Sequence, residues 1–210
     1  MRKINQPFYN LKPDKREKII HAALQEFAEN GYEQASTNNI VKNAGIGKGM
    51  LFYYFKNKKE LYLYLIDYSL AIITNEFLGK IDTNEPDFIE RLRQIAKIKM
   101  AYNQDYPNIL GFLANVYIQE EIELPENLTK RYEEIINLRH SVMYENIDTS
   151  LFREDVDREK AYQLIGWSIE GYQNNLMKQF KHQNVTTTNM DPYWDEFYDY
   201  LKILKTIFYK

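Results

Sequence analysis

Residues 37–60 read TNNIVKNAGIGKGMLFYYFKNKKE, and they set cations beside aromatic rings. Lys48, Lys56, Lys58 and Lys59 supply ammonium groups of the kind that attract phosphate. Met50, Phe52, Tyr53 and Tyr54 offer edges of the kind that meet bases. Taken alone, the run Leu51-Phe52-Tyr53-Tyr54-Phe55 reads as core and the lysines as a solvated patch. Five consecutive helical residues cannot all face inward in a small domain, however, so at least one or two rings must stand exposed beside the lysines. Catalytic chemistry has little to work with elsewhere. The chain has no cysteine, which removes disulfides, thiolate metal sites and cysteine nucleophiles together. Its three imidazoles, His21, His140 and His182, lie far apart in sequence, so no metal site and no cofactor is expected. No nucleophile, base and orienting group stand at a recognisable spacing, and the chain does not read as an enzyme.

The elements that must hold the 37–60 edge follow from apolar spacing. Ile40, Val41 and Ala44 mark one face of a short helix closed by Gly45. After Gly45-Ile46-Gly47 a second short helix carries Leu51 and Phe55 four residues apart, on one inward face that Met50, Tyr53 and Tyr54 cannot all share. Two short helices joined by a glycine turn make a helix-turn-helix, whose second helix enters the major groove. Ser36 or Thr37 can cap the first, and Asn57 with Glu60 can cap the helix that follows. Upstream, Ile20, Ala23, Leu24 and Phe27 repeat at helical spacing from Pro13 until Asn30-Gly31. A three-helix unit therefore precedes a longer fourth helix.

The stretch PDKREKIIHAALQEFAENGYEQASTNNIVKNAGIGKGMLFYYFKNKKELY resembles the DNA-binding domain of the TetR family of bacterial transcriptional regulators. The likeness is dense from residue 13 to about 66 and includes Phe27, Gly31-Tyr32, Ala44-Gly45, Lys48-Gly49, Leu51, the aromatic run to Phe55, Lys58 and Glu60-Leu61. It implies that Thr37 meets a phosphate through its hydroxyl and amide at a helix N-terminus. It also implies that Lys48 touches phosphate or a base edge, and that Gly49 lets the backbone come close. Tyr53 and Tyr54 sit where the family reads bases and grips phosphate, and Lys58 is a further phosphate position. The expected DNA-binding set is thus Thr37, Gly47, Lys48, Gly49, Met50, Phe52, Tyr53, Tyr54 and Lys58. Two positions depart from the family pattern: Gly47 stands where serine is usual and Phe52 where tyrosine is usual, so the operator sequence does not transfer from relatives.

Charge is polarised in the same sense. Residues 1–60 hold eleven Lys and Arg against six Asp and Glu, while the remaining 150 hold 16 against 24, which together give the net −3. A basic end attracts the phosphate backbone, and an acidic remainder limits indiscriminate sticking. Arg2 and Lys3 form a basic tail that could add contacts. No segment approaches the 18 or so apolar residues of a membrane span, and the N-terminus lacks an apolar signal core. A cytoplasmic protein with no membrane partner is expected.

Beyond residue 56 the pattern is helical throughout, with helices expected over 57–81, 86–104, 107–120, 125–147, 157–180 and 191–209 and a polar link over 181–189. The fold class is all-α, with a helix-turn-helix domain over residues 1–56 and a larger helical domain over 57–210. In the family the second domain dimerises through its last long helices and encloses a small-molecule pocket. The dimer expectation falls on Leu164, Trp167, Gly171, Trp194, Tyr198 and Leu201. The pocket expectation falls on Tyr102, Phe112, Tyr117, Tyr144, Trp167 and Glu170; the rings suit a hydrophobic or aromatic effector, while Glu120, Glu121 and Glu170, if buried, would neutralise a cationic one. The resulting expectation is a homodimeric repressor of double-stranded operator DNA released by a small molecule. The alternative is a helix-turn-helix protein whose C-terminal domain takes a protein partner instead.

Overall fold

A computed structural model describes residues 6–106, 108–119, 122–179 and 191–210. The expectations on Arg2, Lys3, Glu120, Glu121 and the 181–189 link lie outside them. The described residues form helices α1 (Gln6–Tyr9), α2 (Pro13–Gln34), α3 (Thr37–Ala44), α4 (Lys48–Phe55), α5 (Lys58–Ile72), α6 (Phe88–Asp105), α7 (Ile109–Gln119), α8 (Glu126–Tyr144), α9 (Arg158–Gln179) and α10 (Asp191–Phe208). After α5 the chain widens into a π-turn (Ile73–Phe77) and tightens into a 3-10 turn (Leu78–Lys80), and another 3-10 turn spans Thr149–Leu151. No strand occurs among them. One isolated antiparallel bridge pairs Phe152 with Tyr209.

The chain divides into two compact units, residues 1–80 with 99–139 and residues 81–98 with 140–210. The first contains the helix-turn-helix. Its α2 begins with Pro13, whose ring presets a helical φ where the missing N–H costs nothing. Ile19, Ile20, Ala23, Leu24 and Phe27 form its buried stripe. Gly31, at φ 67° and ψ −176°, breaks the helix where the asparagine-glycine pair says it should, and the chain resumes helical turns to Gln34. Phe112 of α7 packs on Phe27 and Tyr62, with ring centroids 6.2 and 5.3 Å away. Asn115 reaches the Ala28 carbonyl of α2 at 2.6 Å, and Arg131 of α8 pairs with Asp67 of α5.

The short α1 was not legible in the apolar spacing. Its Phe8 is completely buried, in contact with Tyr54, Phe55 and Tyr64 at centroid distances of 5.6, 4.7 and 5.4 Å. The residues ahead of α2 therefore supply a ring to the floor under α4.

The second unit has a core of its own around Phe88, Ile89, Phe152, Ala161, Ile165, Phe197 and Leu201. Arg91 is wholly enclosed in it, and its guanidinium donates to the carbonyls of Thr83, Glu85, Val142 and Glu145 at 2.9, 3.0, 3.2 and 2.6 Å. A buried cation is tolerated there because its donors are spent on carbonyl oxygens. Asp87 caps α6 by accepting from the amides of Ile89 and Glu90, and Tyr209 and Lys205 both donate to its carboxylate. Lys205 also reaches Glu90 at 2.8 Å. Burial pushes the Asp87 and Glu90 carboxyls up, but the hydrogen bonds and charge outweigh it and hold both below their ordinary values.

Candidate DNA-binding surface

The turn between α3 and α4 is built from backbone terms that its residues dictate. Ser36 caps α3 by accepting the Asn39 amide at 3.4 Å, the first of the two capping choices open to the sequence. At the other end Gly45 adopts the left-handed conformation (φ 66°), its amide donates to the Lys42 carbonyl, and the Ile46 amide donates to Val41. That pair of bonds is the Schellman closure, which only glycine enters without steric cost. Gly47 then opens α4 as a cap without a side chain, its carbonyl accepting from Met50 and Leu51. Asn57 closes the set by accepting the Glu60 amide at 2.8 Å at the start of α5.

With both ends fixed, the rotation of α4 decides what faces out. Leu51 and Phe55 are buried, as their four-residue spacing requires. Lys48 and Gly49 are exposed, Met50 and Phe52 are half-buried, and Tyr53 is 57 % exposed. Lys42, Asn38, Asn39, Lys56 and Lys59 are exposed alongside, and Thr37 is half-buried at the α3 N-terminus. Gly49 stands inside a helix, where glycine is worth about 1 kcal/mol less than alanine. A Cβ added there would meet nothing within 4 Å. The protein itself has no steric need for a glycine at that position.

Two expected members of the surface sit differently. Tyr54 retains only 7 % exposure, because it lies on the Phe8 side of α4. It is a floor residue beneath Tyr53 rather than part of the exposed edge. Lys58 is turned away from the edge: its Nζ donates to the carbonyls of Glu33 and Ala35 at 3.0 and 3.2 Å and lies 4.8 Å above the Tyr32 ring. Sequence reading also missed Glu26, whose buried carboxylate accepts the Ser36 amide at 2.8 Å and the Asn39 side chain at 3.4 Å. A carboxylate on the buried stripe of α2, between Leu24 and Phe27, was the signal for it.

The expected pocket residues do not form a buried set. Phe112 is core of the first unit, and Tyr102 is buried there beside Phe77 and Tyr106. Tyr117 is exposed, stacked on Tyr132. Tyr144 packs on Phe88 in the second unit and remains partly exposed. Trp167, at 64 % exposure, and Glu170 point to solvent because Ala161, Ile165 and Ile169 set the inward face of α9. Among the described residues two hydroxyls are enclosed without a hydrogen-bond partner, that of Ser69 and that of Tyr102, the latter one of the expected pocket residues.

Of the expected dimer residues, Leu164, Trp167 and Gly171 share an exposed face of α9. Leu201 does not qualify, being buried in the second unit's own core. Trp194 and Tyr198 pack against that core, and Tyr198 also meets Arg93 and Lys97 over its ring. The exposed apolar residues of α10 are Tyr200, Ile203 and Ile207, again at i, i+3 and i+7.

An all-helical chain with a capped helix-turn-helix, an exposed lysine and tyrosine edge and a glycine that leaves room for a docked partner defines a DNA-binding transcriptional regulator. Residues 19–65 match the family model of bacterial regulatory proteins, tetR family. The chain is 28 % identical over 160 residues to the fatty acid metabolism regulator protein of Bacillus subtilis (strain 168), covering 72 % of this chain and 78 % of that one. It is 26 % identical over 188 residues to the nucleoid occlusion factor SlmA of Vibrio campbellii, covering 87 % and 93 %. Its fold is shared with a TetR family transcriptional regulator from Chloroflexus aurantiacus J-10-FL, with a TM-score of 0.68 over 98 % of both chains at 21 % identity. Residues 19–65 thus carry the DNA-binding domain of the TetR family of bacterial transcriptional regulators.

Proposed function

We propose that this regulator is a homodimeric repressor whose hold on its operator is released by a small apolar effector. Residues 1–56 serve as the DNA-binding part and residues 57–210 as the effector and dimerisation part. One observation carries the reading. Helix α5 starts at the Asn57 cap that follows α4 and, within the same compact unit, places the buried, unpartnered hydroxyl of Ser69 three turns further on. An unmet buried hydroxyl costs about 1–3 kcal/mol, which a ligand atom can return on binding. Tyr102 offers a second such hydroxyl, and burial followed by the neighbouring Tyr68 and Tyr106 phenols pushes its pKa up. The Phe77 and Tyr106 rings packed against Tyr102 suit a hydrophobic or aromatic compound. A relative named for fatty acid metabolism is in keeping with an apolar effector.

The dimer face in this reading is Leu164, Trp167 and Gly171 of α9 with Tyr200, Ile203 and Ile207 of α10, because these are the exposed apolar residues of the last two helices. On DNA, Thr37, Gly47, Lys48, Gly49, Met50, Phe52 and Tyr53 form the contact set. Two recognition helices must meet half-sites about 34–36 Å apart, so a displacement of a few ångströms at α5 suffices to end simultaneous engagement.

Fluorescence anisotropy on the gene's own upstream DNA tests the reading, combined with thermal melts against a compound library. Expected are specific binding by a dimer, and at least one stabilising compound that lowers DNA affinity and loses its effect in Ser69→Val and Tyr102→Phe. Specific binding with no stabilising compound would favour a protein partner for the C-terminal part, a reading favoured by the exposed Tyr117 on α7. No specific binding would overturn the DNA-contact set.

A further inference from the structure

Helix α4 has the sequence KGMLFYYF. It holds no arginine, asparagine, glutamine, aspartate or glutamate, the side chains that meet guanine, adenine and cytosine through directed hydrogen bonds in the major groove. Its polar side chains are Lys48 and two tyrosines, and one of these, Tyr54, is buried against Phe8. Most of what the helix can offer a base is therefore apolar. Phe52 and Tyr53 follow Gly49 by three and four residues, so they border it on the helix surface, and Met50 borders Tyr53 by the same spacing. Met50 and Phe52 are half-buried, and each keeps part of its apolar surface open. Successive residues turn by the helical step, which sets Phe52 and Met50 on either side of the open space at Gly49. We propose that α4 identifies its operator through the C5-methyl groups of thymine, with Phe52 and Met50 as the specificity-determining side chains. The assignment rests on α4 being the helix that meets DNA.

Thymine is the base that presents a methyl group in the major groove, and an apolar side chain meets it without needing a directed partner. Lys48 can reach guanine or a phosphate, but an ammonium is a point charge and does not fix the plane of a base. Beside Met50, the Lys15 ammonium lies 3.9 Å from the thioether sulfur, which sets a phosphate-attracting cation next to an apolar reader. Helix α3 does carry amide side chains. Asn39, however, donates its side-chain amide to Glu26 at 3.4 Å, and the first helix of a helix-turn-helix crosses the backbone rather than entering the groove. Selection has a repulsive side as well, because Phe52 and Met50 pressed against polar base edges would strip water from groups they cannot replace it on. Sites without methyl groups at the right places are thereby disfavoured.

The test takes a duplex selected by the wild-type protein from a random-sequence pool and remakes it with single base replacements. Deoxyuridine in place of thymidine removes the C5-methyl group and keeps every hydrogen-bonding group. Each methyl group that is read should cost about fourfold in affinity, the worth of one buried CH2 group. Replacing such a T·A pair by C·G should weaken binding further. 5-Methylcytosine at that position should recover about fourfold, which separates methyl reading from the deformability of A·T steps. Phe52→Ala should erase the difference between thymidine and deoxyuridine at one base pair, and Met50→Ala at another. The base series needs only the wild-type protein, so it decides the matter even if Phe52→Ala fails to fold. Equal affinity for the thymidine and deoxyuridine duplexes, or losses confined to 7-deazaguanine replacements, would overturn methyl reading while leaving α4 on DNA. A difference that survives both alanine substitutions would overturn the assignment to Phe52 and Met50. Selection of no sequence by the wild-type protein would overturn the DNA-contact reading, and methyl reading with it.

Discussion

Phe8 lies against Phe55 with ring centroids 4.7 Å apart, so the inward face of the recognition helix rests on a residue from outside the helix-turn-helix. Removing a fully buried phenylalanine costs about 3–5 kcal/mol. Phe8→Ala should lower the melting temperature markedly and weaken DNA binding in step with it. Phe8→Leu should recover most of both. Circular dichroism melts read alongside anisotropy give the comparison, and full affinity in a destabilised Phe8→Ala would show that this ring plays no part in setting α4.

The neighbouring tyrosines should behave as opposites. Tyr53 is exposed and Tyr54 is buried against Phe8. Tyr53→Ala should leave the melting temperature within a degree or two, in line with the small effects typical of surface positions, while broadening the set of sequences selected from a random pool. Tyr54→Ala should lose about 2–4 kcal/mol of stability by the cost of a buried aromatic cavity. The reverse pattern would mean that α4 is rotated on DNA relative to this structure.

Gly49 should trade stability against function. Gly49→Ala has room for its Cβ on the protein side and should gain about 1 kcal/mol from helix propensity. The same methyl group should weaken binding to every duplex, since Gly49 belongs to the proposed DNA-contact set. A variant that is both more stable and equally tight would place the DNA elsewhere.

The second unit should show a pH-dependent stability that runs through Lys205. Asp87 and Glu90 have carboxyl values held below normal, so their stabilisation is complete above the unfolded carboxylate range and is lost as pH falls from about 4–5 through the lower folded values. Lys205→Met should cost about 1–2 kcal/mol at pH 7, because two half-buried carboxylates lose a charged donor. The difference from wild type should shrink towards pH 3. Urea titrations at pH 7 and pH 3 measure it, and an undiminished difference at pH 3 would assign the effect to packing.

Charge placed on the exposed faces of α9 and α10 should separate the proposed dimer. Trp167→Glu combined with Ile203→Glu adds charge at residues that are more than half exposed in their own unit, so the monomer should stay folded. Light scattering should report half the wild-type mass, and operator affinity should drop to the level of a single half-site. A mass unaltered by both substitutions would locate the interface elsewhere.

What residue order determined by itself is everything set within a few positions along the chain. The Ser36 and Asn57 caps, the Gly45 closure, the Gly31 break and the inward pairing of Leu51 with Phe55 each depend on neighbours no more than about five residues away, and each was readable as a pattern. The helix spans were readable for the same reason, because an apolar stripe repeats with the helical period. Tertiary structure alone decided which aromatic of the Phe52-Tyr53-Tyr54 run turns inward, since that depends on Phe8, more than forty residues upstream. It likewise turned Lys58 onto carbonyls 23 and 25 residues away, and it exposed Trp167 while burying Leu201. Local sequence states that a side chain is apolar or charged. Which partner it meets is a matter of surfaces brought together from distant parts of the chain, and burial and pairing are properties of those surfaces.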